Sequence, residues 1–560
     1  SSGFNGSATS FALQVGGATP VPFPKFEQQL LISVNGVIQE PDPTGSAGFK
    51  LSGTNIVFSS APTNGHAFFG VIYAGADYVN AGGTFPDGSI NFPSITFGAD
   101  TNTGFTRTAS GTVALVSDGT KVAQFPTGQG TSGQALIGNG SGVLSYSNSS
   151  ALDFTFNSVT VGKGANSVAG NTVLGESALD ASVSGGSNTA VGFQSLTTLT
   201  SGSSNTAIGR RALNLLTTGG NNTALGQGSL ESATTGSNNT GLGNGALGST
   251  TTAGNLTAIG HNSLHLNTTG TNNVAVGAFA LDANTTGNSC VALGTSALSA
   301  NQTGIDLVAI GQSALALNTT ANNNVAVGYD ALNQNTTGAS NVAVGKQALR
   351  VNTTADNNTA LGSFTLFDNT TGHSNVAVGR SALENNTTAN YNTAVGHNCM
   401  KVNTTGANNT AYGAFALDTQ TTGTKNTSIG YNSLPNNTTG DFNVALGSDA
   451  MVANSTGSSN TALGTEALKA NTTAANNVAI GKDCMIANTT GTQNVAVGTS
   501  ALDANTTAGN NVAVGYEALT ANTTGQANTA IGRRAMHVAT TGEKNVAIGQ
   551  GALESHTTAS

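Results

Sequence analysis

The sequence is poor in charge, in cysteine and in the large residues of an ordinary enzyme core. Only 8% of its 560 residues are charged, and it contains three Cys, four Met and no Trp. Soluble globular domains carry about 25% charged residues, so this composition indicates a fibrous or repetitive protein rather than a globular enzyme. The formal net charge of −9 provides no basic surface, and we therefore expect no nucleic-acid partner.

The chain also has little continuous apolar sequence. None of its apolar runs is long enough to cross a bilayer as a helix, so we expect no membrane insertion. The sequence starts at Ser1 without an initiator Met or a signal-like segment, and its targeting cannot be read.

A 17-residue repeat occupies most of the chain. One copy, residues 324–340, serves below as the reference coil, and its glycine, Gly328, recurs every seventeen residues from Gly175 to Gly549. That is (549 − 175)/17 = 22 steps and 23 glycines, without insertion or deletion. A period held this strictly predicts a solenoid in which each repeat forms one coil.

Each copy begins with a pattern that indicates a short β-strand. In the reference coil it reads Val325-Ala326-Val327, and across the copies the first residue is Thr or Val, the second is usually Ala, and the third is Val, Ile or Leu except for Tyr412. This alternation predicts a strand with one face against a tight interior. The following glycine is expected to form a corner at positive φ, because it has no Cβ.

A second apolar residue, the anchor, follows each corner glycine by four positions. It is Leu in nineteen copies, such as Leu332, and Met in the other four, so Met is predicted to fill a Leu-shaped core position. The cysteines also occupy repeat positions, and Cys399 and Cys484 are five coils apart, or about 24 Å. We therefore predict that Cys290, Cys399 and Cys484 are buried free thiols, not a disulfide, redox or metal site.

Asparagine recurs at two places in the repeat. It precedes the strand in 20 of 23 copies, the exceptions being Leu256, Cys290 and Leu307, and stacked asparagines about 4.8 Å apart are expected to form amide ladders. Most copies close with Asn-Thr-Thr-Gly or Asn-Thr-Thr-Ala, which predicts a turn. The Asn-x-Thr sequons are interpreted as products of this turn rather than as glycosylation sites.

Residues 1–80 differ in composition and predict a small antiparallel β domain. Two apolar runs, Leu30–Val34 and Val37–Gln39, flank Asn35-Gly36, which predicts a type I′ hairpin, and further strands are expected at 55–58 and 68–73. The segments SGFNGS at 2–7, VNGVIQEP at 34–41 and FSSAP at 58–62 resemble the N-terminal modules of tail-fibre proteins of marine bacteriophages. This resemblance implies attachment to a phage tail or baseplate through the N-terminal side.

Residues 81–160 are rich in Gly, Thr and Ser and predict short β modules. Val113 to Val116 is expected to be a strand leading to a turn at Asp118-Gly119, and the 100–104 segment is expected to be a turn rather than half of a calcium loop. The segments SITFGADTNTGF at 94–105 and GTSGQAL at 130–136 are similar to linker modules between tail-fibre domains.

Residues 161–560 form the predicted solenoid of about 23 coils. Its NVAVG and NTAIG strands are similar to the head repeats of trimeric autotransporter adhesins, which implies a parallel β-roll and a homotrimer. The chain differs from that family in its longer period and shows no heptad stalk and no C-terminal membrane barrel. The predicted fold is thus all-β, a parallel β-solenoid of 17-residue coils preceded by small antiparallel β domains, in a trimeric fibre.

These resemblances imply a structural and adhesive fibre of a bacteriophage tail, extracellular on the virion, which holds or provides binding to a host-cell glycan or protein. The alternative is the head of a trimeric adhesin on a bacterial cell surface. A homotrimer is also favoured by the small apolar content of one coil, which is too little to offset the ordering of seventeen residues.

Residues that could support catalysis are sparse. Glu466 and Asp483 occupy the same position on adjacent coils, but other copies hold Ser, Asn, Phe and Arg there, so we expect no glycosidase pair. The seven His show no metal-ligand spacing, and we expect no enzyme activity, cofactor or metal. Ice binding by the Thr-Thr pairs is disfavoured because adjacent threonines point to opposite sides and lie in a predicted turn.

The two positions after each corner glycine vary without rule, so we expect them to face solvent. Exposed aromatic rings are common platforms for sugars, and rings at these positions are therefore candidates for receptor binding. The candidate residues are Phe279, Tyr329, Phe364, Phe415, Tyr431 and Tyr516.

Overall fold

The computed structural model describes residues 4–14, 30–72, 95–97, 100–109, 112–117, 120–125, 134–138, 144–148 and 153–558. Contacts divide the chain into two compact units, Ser1–Leu152 and Asp153–Ser560. Both units are built from β-strands, in agreement with the all-β prediction.

The described residues of the first unit form twelve strands in four antiparallel sheets. The sheets have the strand orders β1-β5-β4, β3-β2-β6, β10-β9-β8-β7 and β11-β12. The strands are β1 (Ser10–Ala12), β2 (Leu30–Val34), β3 (Val37–Gln39), β4 (Phe49–Ser52), β5 (Asn55–Phe58), β6 (Phe68–Ile72), β7 (Ile95–Phe97), β8 (Asp100–Ala109), β9 (Thr112–Ser117), β10 (Thr120–Phe125), β11 (Gln134–Gly138) and β12 (Leu144–Asn148).

The predicted hairpin is confirmed. Strands β2 and β3 pair antiparallel around Asn35 and Gly36, which have φ of 49° and 81°, as a type I′ turn requires. Inward residues of β2, such as Ile32, pack with Phe49 and Phe58 in the core of the first two sheets. The strands predicted at 55–58 and 113–116 are also present, and β6 covers 68–72 of the strand predicted at 68–73.

The turn predicted at 100–104 is wrong. This segment begins the long strand β8, in which Asp100 pairs with Phe97 and Gly104 pairs with Thr96. Residues 101–103 therefore have no partners on β7 and form a bulge. The bulge lets these polar residues, which favour turns, remain within the strand. The predicted turn at Asp118-Gly119 and residue Tyr73 lie outside the described residues.

The second unit is a single 25-stranded sheet wound into a solenoid. It opens with an antiparallel hairpin, β13 (Phe154–Phe156) and β14 (Val159–Gly162), which pairs with β15 (Thr172–Gly175). From β15 to β37 the strands are parallel and follow one another in order. Strands β16 to β37 are Thr189–Val191, Thr206–Ile208, Thr223–Leu225, Thr240–Leu242, Thr257–Ile259, Val274–Val276, Val291–Leu293, Val308–Ile310, Val325–Val327, Val342–Val344, Thr359–Leu361, Val376–Val378, Thr393–Val395, Thr410–Tyr412, Thr427–Ile429, Val444–Leu446, Thr461–Leu463, Val478–Ile480, Val495–Val497, Val512–Val514, Thr529–Ile531 and Val546–Ile548.

Each strand pairs with the next in a register of seventeen residues. Val325, Ala326 and Val327 of β24 lie beside Val342, Ala343 and Val344 of β25. The predicted parallel solenoid with one 17-residue repeat per coil is therefore confirmed.

The interior of a coil contains small strand residues and the anchor. In the reference coil Ala326, Ala331 and Leu332 are fully buried, whereas Val325 and Val327 lie on the outer side of the strand. The four anchor methionines are buried like the leucines, as predicted, and so are the three free cysteines.

The middle residue of each strand must be small because it packs against the anchor and against the residue that precedes the anchor. At Gly241, which replaces this alanine in one coil, an added Cβ would lie 2.5 Å from Ser229 Oγ and 3.5 Å from Leu230 Cδ1. Even a methyl group at Gly241 would thus require Ser229 Oγ to move, so this position is confined to small residues, and the β-branched strand residues point outward. Consequently, fewer apolar side chains are buried in each coil than the sequence pattern suggested.

The corner glycine has the predicted positive φ. Gly328 has φ of 134°, and a Cβ added to it would lie 2.5 Å from the carbonyl oxygen of Gly345 on the next coil. Three non-glycine residues of the same coil, Asp330, Leu332 and Ser340, also have positive φ, between 50° and 58°. The sequence pattern did not reveal these three residues as left-handed.

Two columns of buried asparagines run along the solenoid. In the first column, Asn341 donates from its backbone N to Asn324 Oδ1 at 2.8 Å and from Nδ2 to Ala355 O at 2.8 Å. In the second column, Asn335 Nδ2 donates to Asn318 Oδ1 at 3.0 Å and to the carbonyl of Gly338 at 2.9 Å. The first column confirms the expected ladder.

The second column was expected only as a turn residue. Its asparagines belong to the Asn-Thr-Thr sequons, and their burial leaves the amide group inaccessible, which supports the structural interpretation of these sequons. The next residue, Thr336, donates its hydroxyl to the carbonyl of Thr353 at 3.0 Å, while Thr337 is exposed.

Candidate functional site

The six candidate aromatic residues lie just after the corner glycines, where the chain leaves the sheet. Tyr329, Tyr431 and Tyr516 occupy the first variable position, and their rings are exposed. At the second variable position Phe279 is exposed, whereas Phe364 and Phe415 are half-buried.

The expectation that both variable positions face solvent holds better for the first, which is exposed in most coils and half-buried in others, such as Ser363 and His397. The second can be covered by the neighbouring coil: Asp330 is 9% exposed, and its carboxylate lies 3.7 Å from Arg350 Nε on the next coil. Side chains at the second position therefore lie along the solenoid surface against adjacent coils.

The structure joins the candidate rings into small local contacts rather than one site. Phe415 packs edge-on against Tyr431, with ring centroids 6.0 Å apart, and against His397 at 5.5 Å. Phe279 packs against His261 at 5.1 Å. These edge-to-face contacts fix the rings in place while part of each face remains exposed.

Cations accompany other candidate rings. Lys346 Nζ lies 5.5 Å from the centroid of Phe364, which also contacts Phe367. The guanidinium of Arg533 lies 5.9 Å from the centroid of Tyr516. A ring face occupied by a cation from an adjacent coil is less available for a sugar, so Phe364 and Tyr516 are weaker platforms than Tyr431.

Sequence reasoning omitted several exposed rings. Phe193 occupies the same position as Tyr329, so the repeat alignment itself would have identified it. Tyr391 and Phe442 occupy the variable position before the first asparagine column, and Tyr412 lies at a strand end. The signal for Tyr391 and Phe442 was the variability of their position among the copies.

The adjacent carboxylates Glu466 and Asp483 are each neutralised by lysine. Lys469 Nζ lies 3.1 Å from Glu466 Oε1, and Lys482 Nζ contacts Asp483 Oδ2. The two carboxyl groups are thus members of separate ion pairs on the solenoid surface.

The buried thiols are held in their protonated form. Burial raises the pKa of Cys290 to about 11 and that of Cys399 and Cys484 to about 12, so none is a thiolate nucleophile at neutral pH. Among the described residues, no group of three or more His, Cys, Asp or Glu is arranged to hold a metal ion. No helix in that part of the chain is both long and apolar enough to cross a membrane.

The outer strand face is a regular surface that runs along the solenoid. We use this name for the outward residues of the parallel strands, represented by Val325 and Val327. The residue before the corner glycine is a large exposed side chain in many coils. These exposed residues include Leu174, Ile208, Leu225, Leu242, Ile310, Leu361, Tyr412, Ile429, Leu446, Ile480, Ile531 and Ile548.

Comparison with known proteins returned no relatives: no family model, curated protein or solved structure matches this chain. Functional interpretation therefore depends on the residues, the coil geometry and the resemblances of short segments noted above.

Proposed function

We propose that this chain is a structural and adhesive fibre protein of a bacteriophage tail. The observation that carries the proposal is the stack of coils with 22 parallel steps from β15 to β37, which at about 4.8 Å per step extends about 105 Å. A solenoid of this length separates the two ends of a molecule, as an attachment fibre requires. The N-terminal segments that resemble tail-fibre modules assign the tail or baseplate end to the first unit.

The fibre holds or provides contact with a glycan or protein on the host surface. Its exposed rings, Tyr329 and Tyr431 above all, offer flat apolar faces on an otherwise polar edge, and such faces stack on sugar rings. The protein is extracellular on the virion and acts without catalysis or a cofactor.

The outer strand face supports a homotrimer. Monomeric proteins rarely expose long contiguous apolar surfaces, yet this face carries Val, Ile or Leu in nearly every coil. A second and a third copy are suitable occupants, because an identical chain repeats the same spacing and matches the face along its whole length.

The alternative function is a trimeric adhesin head on a bacterial surface, which the NVAVG coils favour. Immunogold labelling distinguishes this alternative from a phage tail fibre. Antibodies against residues 153–560 should label the tails of phage particles from the source material. Label confined to bacterial envelopes would contradict the phage assignment and support the adhesin.

The contribution of the rings can be measured separately. Alanine at Phe279, Tyr329, Phe364, Phe415, Tyr431 and Tyr516 should weaken attachment of the purified protein to host cells. Alanine at a matched set of polar residues in the same positions, such as Gln312 and Thr465, is the control. If the alanine substitutions at the six aromatic residues do not change attachment, the solenoid acts only as a spacer.

A further inference from the structure

A recess interrupts the surface of the solenoid between Arg210 and His265. Two of its coils carry glycine at the second variable position, Gly228 and Gly245, and one carries glycine directly after the anchor, Gly248. Nearly all other coils have a side chain at these positions. The recess has a volume of about 340 Å³, at the lower end of the range for small-molecule sites.

Side chains from the next coil occupy positions that the glycines make available. A Cβ on Gly245 would lie 2.3 Å from Asn262 Oδ1, and one on Gly248 would lie 2.7 Å from His265 Nδ1. His265 Nδ1 is 2.9 Å from the carbonyl oxygen of Gly245, so this nitrogen carries the proton and donates it. The glycines therefore determine the positions of Asn262 and His265 at the wall of the recess.

The opposite wall is cationic. Arg211 Nη1 lies 2.9 Å from Glu231 Oε1, so this pair is neutral. Arg210 is exposed and forms no ion pair within the described residues, and its guanidinium lies 6.0 Å from the ring centroid of Phe193. The recess thus has one uncompensated positive charge in a chain of net charge −9, with an exposed aromatic ring beside it.

The remaining lining is polar and uncharged. Gln227, Asn244 and Asn262 provide amide groups, and Ser232 and Ser249 provide hydroxyls. Amides and hydroxyls both donate and accept hydrogen bonds, which suits a ligand rich in hydroxyl groups. Arginine binds carboxylates with parallel hydrogen bonds.

We propose that this recess binds a saccharide that bears a carboxylate, a uronic acid or similar acidic sugar. Arg210 pairs with the carboxylate, and the amide and hydroxyl groups of the lining bind the hydroxyls of the sugar. The assignment specifies a ligand class for the proposed adhesive function and rests on that function for its biological role. Binding itself can be tested without it.

The repeat provides variants that the fold already tolerates. Gln occupies the position of Arg210 in three other coils, as Gln227, Gln312 and Gln550, and occupies the position of Gly245 as Gln347. Arg210→Gln removes the cation, and Gly245→Gln displaces Asn262 from the wall of the recess. The matched controls are Arg380→Gln and Ser313→Gln, which make the same replacements at the same coil positions outside the recess.

Binding of glucuronate, glucose and acetate to the full chain can be measured by ligand-observed NMR and titration calorimetry. Glucuronate should bind, and Arg210→Gln and Gly245→Gln should each weaken it about tenfold or more, since hydrogen bonds to charged groups are among the strongest in proteins. The two controls should bind like the original chain, and glucose should bind more weakly than glucuronate.

Three results would overturn the assignment. No detectable glucuronate binding excludes an acidic-sugar site. Equal weakening by Arg380→Gln indicates attraction by surface charge alone, and acetate binding as tight as glucuronate shows that the sugar ring is not recognised. None of these results bears on whether the antibodies label phage tails, so failure of this site and failure of the proposed function remain distinguishable.

Discussion

Single residues in each coil hold backbone conformations that L-amino acids seldom adopt. Leu332, at φ of 50°, costs roughly 1–2 kcal/mol relative to a right-handed conformation. Its backbone N donates to the carbonyl of Ala348 on the next coil at 2.9 Å, and the N of Ser340, also left-handed, donates to Asn322 O on the preceding coil at 3.1 Å. Bonds between coils thus maintain these conformations, and a coil separated from its neighbours would lose them.

Replacement of Gly328 by Val should destabilise the solenoid by about 1–3 kcal/mol, because a β-branched residue would be forced to positive φ. Its Cβ would also lie within 2.5 Å of the carbonyl oxygen of Gly345. Chemical denaturation measures the loss. The control is Gly228→Ser, since Ser296 already occupies the equivalent position at φ of 56°. Equal stability of the two variants would show that the corner does not require glycine.

Asp418 should make stability depend on pH. Burial raises the pKa of this carboxyl, against the opposing charges of Lys401 and His397, and its Oδ1 has no hydrogen-bond partner. A folded-state pKa above the unfolded value of about 3.9 means that the ionised group costs stability, and that this cost disappears as pH falls below both values.

Asp418→Asn should therefore raise the melting temperature at pH 7 and change it little at pH 3. Asn is compatible with this position, which holds Asn333 in another coil. The exposed Asp306→Asn controls for the general loss of a negative charge. A gain of the same size at both pH values would contradict the burial argument.

At the scale of elements, the second asparagine column has an identifiable end. It terminates at Asn522, whose Oδ1 is buried without a partner, because Ala539 follows where the next asparagine would be. A buried acceptor without a donor is costly because it has lost its hydrogen bond to water. The gaps in the first column avoid this cost, since the backbone N of Leu256 and of Cys290 donates to Asn239 Oδ1 and Asn273 Oδ1.

Ala539→Asn should extend this column and stabilise the protein by roughly 1 kcal/mol. The new Nδ2 would donate to Asn522 Oδ1, as Asn522 Nδ2 donates to Asn505 Oδ1 at 3.0 Å. The thermal midpoint measures the gain. Ala539→Leu is the control: it fills the space without a donor, and Leu216 occupies this position in an early coil. An equal gain from leucine would assign the effect to packing alone.

The sequence predicted the elements better than their orientation. The spacing of the repeat was sufficient to predict the coil, the corner at Gly328 and the buried anchor at Leu332. Each of these features depends on one residue type at one position. A period of two shows that Ala326 and Val327 face opposite ways, but not which faces inward. That choice depends on the anchor and the residue before it, which already fill the interior.

The recess was missed for a related reason. Its walls come from residues in different coils, such as Arg210 and His265, and side chains of the next coil lie in the places beside Gly245 and Gly248. A search for chemically active residue types does not detect a recess that is assembled across coils. Alignment of the repeats would have shown that these glycines replace side chains.

At the scale of the whole molecule, the outer strand face predicts the oligomer. Val327→Lys combined with Val344→Lys should convert the proposed trimer to monomers with little loss of folding, because both side chains point outward. Light scattering should show three times the 55.2 kDa chain mass before the change and one chain mass after it.

Lysine at both Tyr329 and Ser363 is the control. These residues occupy the first variable position, which holds lysine naturally as Lys346 and Lys482, so the trimer should persist. A monomeric mass for the unaltered protein at micromolar concentration would contradict the trimer at once.

Because the outer strand face repeats with every coil, it does not determine how one chain is aligned with another along the solenoid axis. If one chain slides along another by a single coil, Val and Ile meet Val and Ile again, and only one contact is lost at each end. Tyr412 is the one aromatic residue before a corner glycine, so it is one of the few side chains that distinguish one alignment from the next. The solenoid alone should therefore assemble into staggered mixtures, and flush ends require a segment whose sequence does not repeat, such as residues 1–152.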